Sequence, residues 1–103
     1  MKKVISIGEA LIDFIPHEKG VALKEVSSFL RVAGGAPLNV AAAVSKLGGK
    51  SQMITKLGVD GFGDHILGEV KPLGVDVSKV LRTKEANTAL AFVSLKEDGE
   101  RDF

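Results

Sequence analysis

The stretch from Gly34 to Gly58 constrains the fold more than any other part of the sequence. Residues 34–39 read Gly-Gly-Ala-Pro-Leu-Asn, and the residues that follow are mostly apolar up to the next pair of glycines. Two glycines let the backbone turn sharply and approach a ligand closely, and proline has the φ angle of a first helical position. The pattern therefore predicts a loop that turns into a helix over residues 37–47.

The start of this helix is a candidate small-molecule site. The first amides of a helix have no intrahelical partner, and the helix dipole favours an electronegative ligand there. Asn39 lies in this first turn and offers both a donor and an acceptor. The same residues also fit a simpler interpretation, in which the glycines only form a turn and Asn39 only caps the helix. Taken alone, these residues leave both interpretations open.

The rest of the chain alternates short apolar runs with helical patterns, which predicts an α/β fold. The β-branched first run predicts a buried strand of a parallel sheet, and the helix over 37–47 is apolar on nearly every face and is expected to be buried. Residues 9–15 are expected to carry the chain outward, with Asp13 just beyond the carboxyl end of the first strand, where ligands bind in open α/β sheets. A scaffold turn at residues 60–64 precedes a second helix that Pro72 ends. Strands are predicted at residues 4–8, 27–33, 51–57, 80–84 and 88–95, with an Asp98-Gly99 hairpin turn after the last.

Composition excludes several classes of protein. A net charge of +1, with lysines scattered among acids, argues against nucleic acid as a partner. The chain has no cysteine for a disulfide or a thiolate site, and His17 and His65 are too isolated to predict a metal site. No apolar run is long enough for a membrane span or a signal peptide, so we expect a cytoplasmic protein without a membrane partner.

The spacing of residues between Gly34 and Gly58 resembles the amino-terminal signature of the ribokinase-type (PfkB) carbohydrate kinases. The fixed positions of that signature correspond here to Gly35, Pro37, Asn39, Ala41, Gly48 and Gly58. Residues 7–13 and 58–63 also follow the family's order of landmarks. Within the family, residues 34–39 and 88–103 look most like bacterial fructokinases and related sugar or sugar-acid kinases.

This resemblance implies a ribokinase-like α/β fold, in which a Rossmann-like parallel sheet is flanked by helices and carries a small β lid. Residues 1–103 would then be the amino-terminal portion of one α/β kinase domain, because family members are considerably longer. The lid segments are expected at about residues 15–33 and 88–103. Relatives often pair through their lids, so the resemblance also allows a homodimer.

The activity implied by the resemblance is transfer of the ATP γ-phosphoryl group to a sugar hydroxyl with Mg²⁺, most simply fructose to fructose 6-phosphate. Kinases for 2-keto-3-deoxygluconate, ribose or a nucleoside remain alternatives. A non-catalytic sugar-binding or regulatory module is the alternative of another class. In the family the catalytic base comes from a Gly-Ala-Gly-Asp motif that this sequence lacks up to Phe103, so the base and most of the nucleotide site are expected beyond it. This portion alone is expected to be inactive.

The resemblance also implies which residues bind the sugar. An ionised carboxylate accepts hydrogen bonds from two adjacent hydroxyls, and the family has such a carboxylate at the place of Asp13. Gly35 and Asn39 are expected to bind the sugar with Asp13, and Gly34 to act as a hinge with Gly35 when the lid closes. Further candidates are Ala36, Asn87 and Phe103.

Overall fold

The computed structural model of the protein describes residues 2–97 and 101–102. In this part of the chain, two α-helices and eight β-strands form around a shared core. The helices are α1 (Ala36–Lys46) and α2 (Gly61–Val70), and short 3-10 turns occupy Leu23–Glu25 and Lys71–Leu73. The strands are β1 (Lys3–Ile7), β2 (Leu11–Pro16), β3 (Phe29–Gly34), β4 (Lys50–Gly58), β5 (Val80–Thr83), β6 (Ala89–Phe92), β7 (Ser94–Leu95) and β8 (Arg101–Asp102).

The first sheet is parallel and has the strand order β1-β4-β5. Its register runs from Lys3 opposite Lys50 to Ile7 opposite Ile54. Parallel neighbours require a crossover connection, and α1 and α2 supply the helical parts of the two crossovers. The predicted parallel sheet is therefore confirmed, and α2 ends at Val70, just before Pro72, as predicted.

The second sheet has the order β3-β2-β6, and its central strand was not predicted. Strand β2 runs antiparallel to β3 and parallel to β6, with Asp13 opposite Val32 on one side and Ala91 on the other. Residues 9–15 were expected to carry the chain outward, and no strand was predicted there, but most of them form this strand. Asp13 consequently lies inside a strand of the second sheet and not in a loop beyond the first.

The core lies between the helices and the two sheets. Its buried side chains come from β2, α1, β4, α2 and the segment before β5. An aromatic cluster extends this core under the second sheet, since the Phe14 ring stacks on Phe92 at 4.8 Å and meets Phe29 and Phe62 edge to face. The second sheet thus contacts α2 through aromatic packing. Neither helix in the described residues is long and apolar enough to cross a membrane.

Two predictions of complete burial are wrong. In β1 only Ser6 is buried, and Ile7 is 72% exposed. In α1 only Leu38 and Ala41 are buried, whereas Val40 is 50% exposed. The physical reason is the same for both elements, because within the described residues each is covered on one face and open on the other.

The last predicted strand, residues 88–95, is divided in two. Strand β6 ends at Phe92, and the backbone N–H of Val93 donates the last hydrogen bond of its ladder with β2 to the carbonyl of Phe14 at 3.0 Å. Strand β7 then pairs antiparallel with β8. The predicted Asp98-Gly99 turn and the candidate Phe103 lie outside the described residues.

Candidate functional site

The two glycines before α1 form a close junction between both sheets and the helix. Gly34 ends β3, and Gly35 is the N-cap of α1. Gly35 has a φ of 100°, which residues with a side chain rarely adopt. A Cβ atom on Gly35 would lie 2.8 Å from the carbonyl oxygen of Glu9, so the backbones of these two residues are in contact. The junction therefore requires glycine at position 35 for two separate reasons.

The carboxyl end of β1 meets the start of α1 at the same junction. Gly8 has a φ of 147°, and a Cβ there would lie 2.8 Å from Cγ of Pro37. Helix α1 begins without a hydrogen-bonded side-chain cap from any described residue, and Pro37 occupies its first turn. Because early amides of a helix have no intrahelical acceptor, this end of α1 offers donors to a ligand.

Asp13 lies against this junction. Its carboxylate occupies the space directly over the α-carbon of Gly34, and its side chain is half-buried. Among the described residues, no hydrogen bond or ion pair holds the carboxylate. An ionised carboxylate in such a place has its acceptor positions available for hydroxyl groups.

Asn39 and Ala36 lie in the first turn of α1, and both are exposed. The backbone N–H of Asn39 donates to the carbonyl of Gly35 at 2.9 Å. The helical period puts Asn39, Ala42 and Lys46 on one face, and these three residues line a cavity of about 260 Å³ between α1, β3 and the end of α2. Asp13, Gly34 and Gly35 do not line that cavity. The structure thus joins Asp13 to the two glycines, while Asn39 lines a different recess.

Asn87 is exposed in the connection between β5 and β6, and the residue after it is firmly held. Thr88 is 4% exposed, its hydroxyl donates to Oδ1 of Asp60 at 2.8 Å, and its backbone N–H donates to Oδ2 of Asp60 at 2.8 Å. The Thr88 oxygen also accepts from the backbone N–H of Gly58 at 3.0 Å. Asn87 therefore projects from a turn whose next residue is tied to the core.

Asp60 serves the scaffold, as its turn predicted. Oδ1 of Asp60 caps α2 by accepting the backbone N–H of Gly63 at 2.8 Å. The backbone N–H groups of Thr88 and Gly63 lower the pKa of Asp60 from its usual value, because they stabilise the ionised form. Asp60 is consequently a charged anchor that joins α2 to the start of β6.

Arg82 completes this anchor, and no pattern in the sequence singles it out. Nε and Nη2 of Arg82 donate to the carbonyl of Gly58 at 3.0 and 2.8 Å, and Nη2 also donates to Asp64 at 2.9 Å. An arginine near the end of a short strand has no distinctive local pattern. Only the pairing of β4 with β5 brings it to Gly58.

The two histidines lie apart, with His17 just after β2 and His65 in α2. Nδ1 of His17 lies 2.9 Å from the hydroxyl of Ser28, and Nε2 of His65 lies 3.5 Å from Glu69. Within residues 2–97 and 101–102, no group of three His, Asp or Glu side chains could hold a metal ion. These residues therefore do not fit a Mg²⁺ site.

The sequence was compared with a family profile and with the sequences of known proteins. The profile described as pfkB family carbohydrate kinase matches residues 1–103. A fructokinase of Solanum tuberosum is 52% identical over 100 residues, which cover 97% of this chain and 31% of that protein.

Two solved structures share the fold of the chain. A fructokinase from Xylella fastidiosa with bound ATP is 44% identical with a TM-score of 0.83, covering 99% of this chain and 32% of that one. An uncharacterized sugar kinase from Pyrococcus horikoshii in complex with ATP is 42% identical with a TM-score of 0.89, covering 97% and 32%. The chain thus spans about a third of the length of these relatives.

Proposed function

Because the chain belongs to the pfkB family of carbohydrate kinases, we propose that the complete protein transfers the γ-phosphoryl group of ATP to a hydroxyl of fructose. The family carries the predicted ribokinase-like α/β fold, with which the likeness to solved sugar kinases agrees. The observation that carries the choice of fructose is the 52% identity to a fructokinase over nearly the whole chain. Fructose 6-phosphate and ADP would be the products.

The described residues would supply the sugar-binding part of this reaction. Asp13 would accept hydrogen bonds from two sugar hydroxyls, since its carboxylate lies over Gly34 with no hydrogen-bonding partner among the described residues. The first amides of α1 would donate to sugar oxygens at the adjacent junction. Gly35, Ala36, Asn39 and Asn87 remain proposed sugar-binding residues, with Gly34 as a hinge.

The transfer step needs groups that this portion does not contain. The sugar hydroxyl would attack the γ-phosphorus, its proton would pass to a base, and ADP would leave as the bond to its bridging oxygen breaks. We propose that the base and most of the ATP site, with Mg²⁺ to neutralise the phosphates, belong to residues beyond Phe103. This portion alone would then bind or position sugar without transferring phosphate.

The second sheet would act as a lid over the sugar. Two of its connections to the rest of the structure run through Gly8 and Gly35, both of which have positive φ angles. Its edge strand β6 exposes Leu90 and Phe92, the latter at 48%, which supports the proposal that two lids pair in a homodimer. Sedimentation equilibrium of the complete protein tests this pairing, and a monomer at micromolar concentration would exclude it.

An ADP-release assay on the complete protein tests the function directly. The acceptors are fructose, glucose, ribose, 2-keto-3-deoxygluconate and adenosine, each at several concentrations with ATP and Mg²⁺. We expect fructose to give the highest kcat/KM and the product to carry its phosphate on the 6-hydroxyl by NMR. A higher kcat/KM for another acceptor would reassign the substrate, and tight sugar binding without ADP release would favour a non-catalytic module.

A further inference from the structure

A compact group of hydrogen bonds joins the core to the base of β6. The carboxylate of Asp60 receives both the hydroxyl and the backbone N–H of Thr88, each at 2.8 Å. The hydroxyl oxygen of Thr88 accepts the N–H of Gly58, whose carbonyl in turn receives Arg82. We refer to the pair Asp60 and Thr88 as the clamp.

The clamp is closely packed and leaves little freedom for rearrangement. A Cβ on Gly58 would lie 2.6 Å from the amide nitrogen of Thr88, and a Cβ on Gly63 would lie 2.5 Å from the Gly58 carbonyl. Backbone atoms cannot move aside as easily as the end of a flexible side chain. A buried hydroxyl that both donates and accepts is also costly to leave unpaired. The turn before β6 is therefore held in one position.

Three chain segments connect the second sheet to the rest of the structure, and they differ in how firmly they are held. Residues 8–10 and residues 34–36 contain Gly8 and Gly35, whose positive φ angles belong to residues that can take up large backbone changes. The third connection is the turn that ends at Thr88, and it is held by side-chain hydrogen bonds to Asp60. One end of the second sheet is thus fixed, and the other two connections pass through glycines.

The fixed connection lies close to Asp13 in the second sheet. Strand β6 starts immediately after Thr88 and pairs in parallel with β2, which puts Ala91 directly beside Asp13. A shift of the base of β6 would move β2 through this ladder. The position of the Asp13 carboxylate relative to α1 consequently depends on the clamp.

We propose that Asp60 and Thr88 are positioning residues, which fix the base of β6 to the core and thereby hold Asp13 in place to bind the sugar. The part of this inference that concerns sugar rests on the function proposed above. The part that concerns the attachment of β6 does not, because it follows from the hydrogen bonds alone.

The test compares Thr88→Val with Thr88→Ser in the complete protein. Valine keeps the volume of threonine and removes the hydroxyl, whereas serine keeps the hydroxyl that bonds Asp60 and Gly58. Hydrogen exchange followed by mass spectrometry reports the attachment of residues 89–92 and 11–16. Steady-state kinetics report the KM for fructose and for ATP separately.

For Thr88→Val we expect amide exchange in residues 89–92 and 11–16 to be about tenfold faster, since a hydrogen bond to a charged group is lost. We expect the KM for fructose to rise by about the same factor, with the KM for ATP within about twofold of the parent. Thr88→Ser should behave like the parent in both measurements. Asp64→Asn is the matched control, because it removes only the charge of an exposed partner of Arg82 and leaves the clamp intact.

Three results would overturn the inference. The first is parent-like exchange in residues 89–92 of Thr88→Val, and the second is equal behaviour of the valine and serine variants. The third is equally faster exchange in β1 and β4, which would indicate a general loss of stability. If the parent phosphorylates no sugar, the proposed function fails, while the exchange comparison still decides whether the clamp holds β6.

Discussion

The carboxylate of Asp13 occupies the space that a side chain on Gly34 would fill. Strands β2 and β3 pair so that Gly34 lies opposite Leu11, two residues before Asp13, and the carboxylate leans over the glycine. Gly34 does not have a positive φ, so its backbone would accept another residue. The glycine is therefore needed at this position for the room it leaves to Asp13.

Asp13→Ala in the complete protein is expected to weaken fructose binding by roughly 10- to 100-fold, because hydrogen bonds to a charged acceptor contribute about 1.5–3 kcal/mol. Isothermal titration calorimetry with fructose, and separately with an ATP analogue, measures the effect. Nucleotide affinity should stay close to that of the parent. Equal fructose affinity in parent and variant would remove Asp13 from the site.

Gly34→Ala is expected to reduce fructose affinity without a large loss of stability. The added methyl group would meet the end of the Asp13 side chain, which can rotate away and so leave its binding position. We expect a change of less than about 1 kcal/mol in the free energy of unfolding, because the strain is relieved by one flexible side chain.

A double-mutant cycle with Asp13→Ala checks the cause of the Gly34→Ala effect. If the alanine acts by displacing Asp13, it should add little to the loss in affinity once Asp13 is gone. Independent, additive losses would show that Gly34 acts on the sugar in another way.

Gly35→Ala is expected to act on stability. The residue has a φ of 100°, and the new Cβ would lie 2.8 Å from the Glu9 carbonyl, which is backbone. Strain and overlap together are expected to lower the free energy of unfolding by about 2–4 kcal/mol in urea titrations. Gly48→Ala is the control, since Gly48 has a φ of 89° with open space around it and should lose only about 1–2 kcal/mol. Similar losses for both variants would contradict a role for the Glu9 contact.

The sequence predicted the helices and strands whose own residues carry a recognisable pattern. The glycines and proline before α1, the apolar face of α2 and the runs of β1, β4 and β5 carry their own signals. Strand β2 did not, because Leu11–Pro16 interrupts its apolar residues with Asp13 and pairs with strands that begin at Phe29 and Ala89. Strand formation there depends on tertiary pairing more than on local propensity.

The candidate site shows the same limit. The residues of the signature, Gly35 among them, were recognised from spacing, whereas Thr88 and Arg82 had no local signal. Thr88 meets Asp60 across 28 residues, and Arg82 meets Gly58 across 24. The exposure of Ile7 and Val40 was also not predictable, since an apolar side chain does not specify which segment covers it.

Asp76 is expected to contribute to the pH dependence of stability. The backbone and side chain of Ser78, and then Lys3, lower the pKa of Asp76 from its usual 3.8 to about 2. A folded pKa below the unfolded one means that the stabilisation is present above about pH 4 and is lost as the pH falls toward 2. Asp76→Asn should therefore be less stable than the parent near neutral pH, and the difference should shrink in acid.

Urea unfolding of parent and Asp76→Asn across this pH range measures the difference. Lys3→Met is the matched control, because it removes the 3.2 Å contact of Lys3 with Asp76 but keeps the larger effect of Ser78. It should retain most of the acid dependence. A difference between parent and Asp76→Asn that is constant with pH would contradict the role assigned to the ionised carboxylate.

Two glycines of α2 are expected to respond to alanine in opposite directions. Gly68 is exposed and has open space where a Cβ would be, so Gly68→Ala should raise the free energy of unfolding by about 0.5–1 kcal/mol through helix propensity. Gly63 is buried, and its Cβ would lie 2.5 Å from the Gly58 carbonyl and 2.9 Å from Nη2 of Arg82. Gly63→Ala should therefore lower the same free energy by about 1–3 kcal/mol, because the added atom overpacks the base of the clamp. Urea titrations of the two variants in one background measure both effects. An increase in the free energy of unfolding for Gly63→Ala would mean that the carbonyl of Gly58 can move aside. The clamp would then be less rigid than its hydrogen bonds indicate.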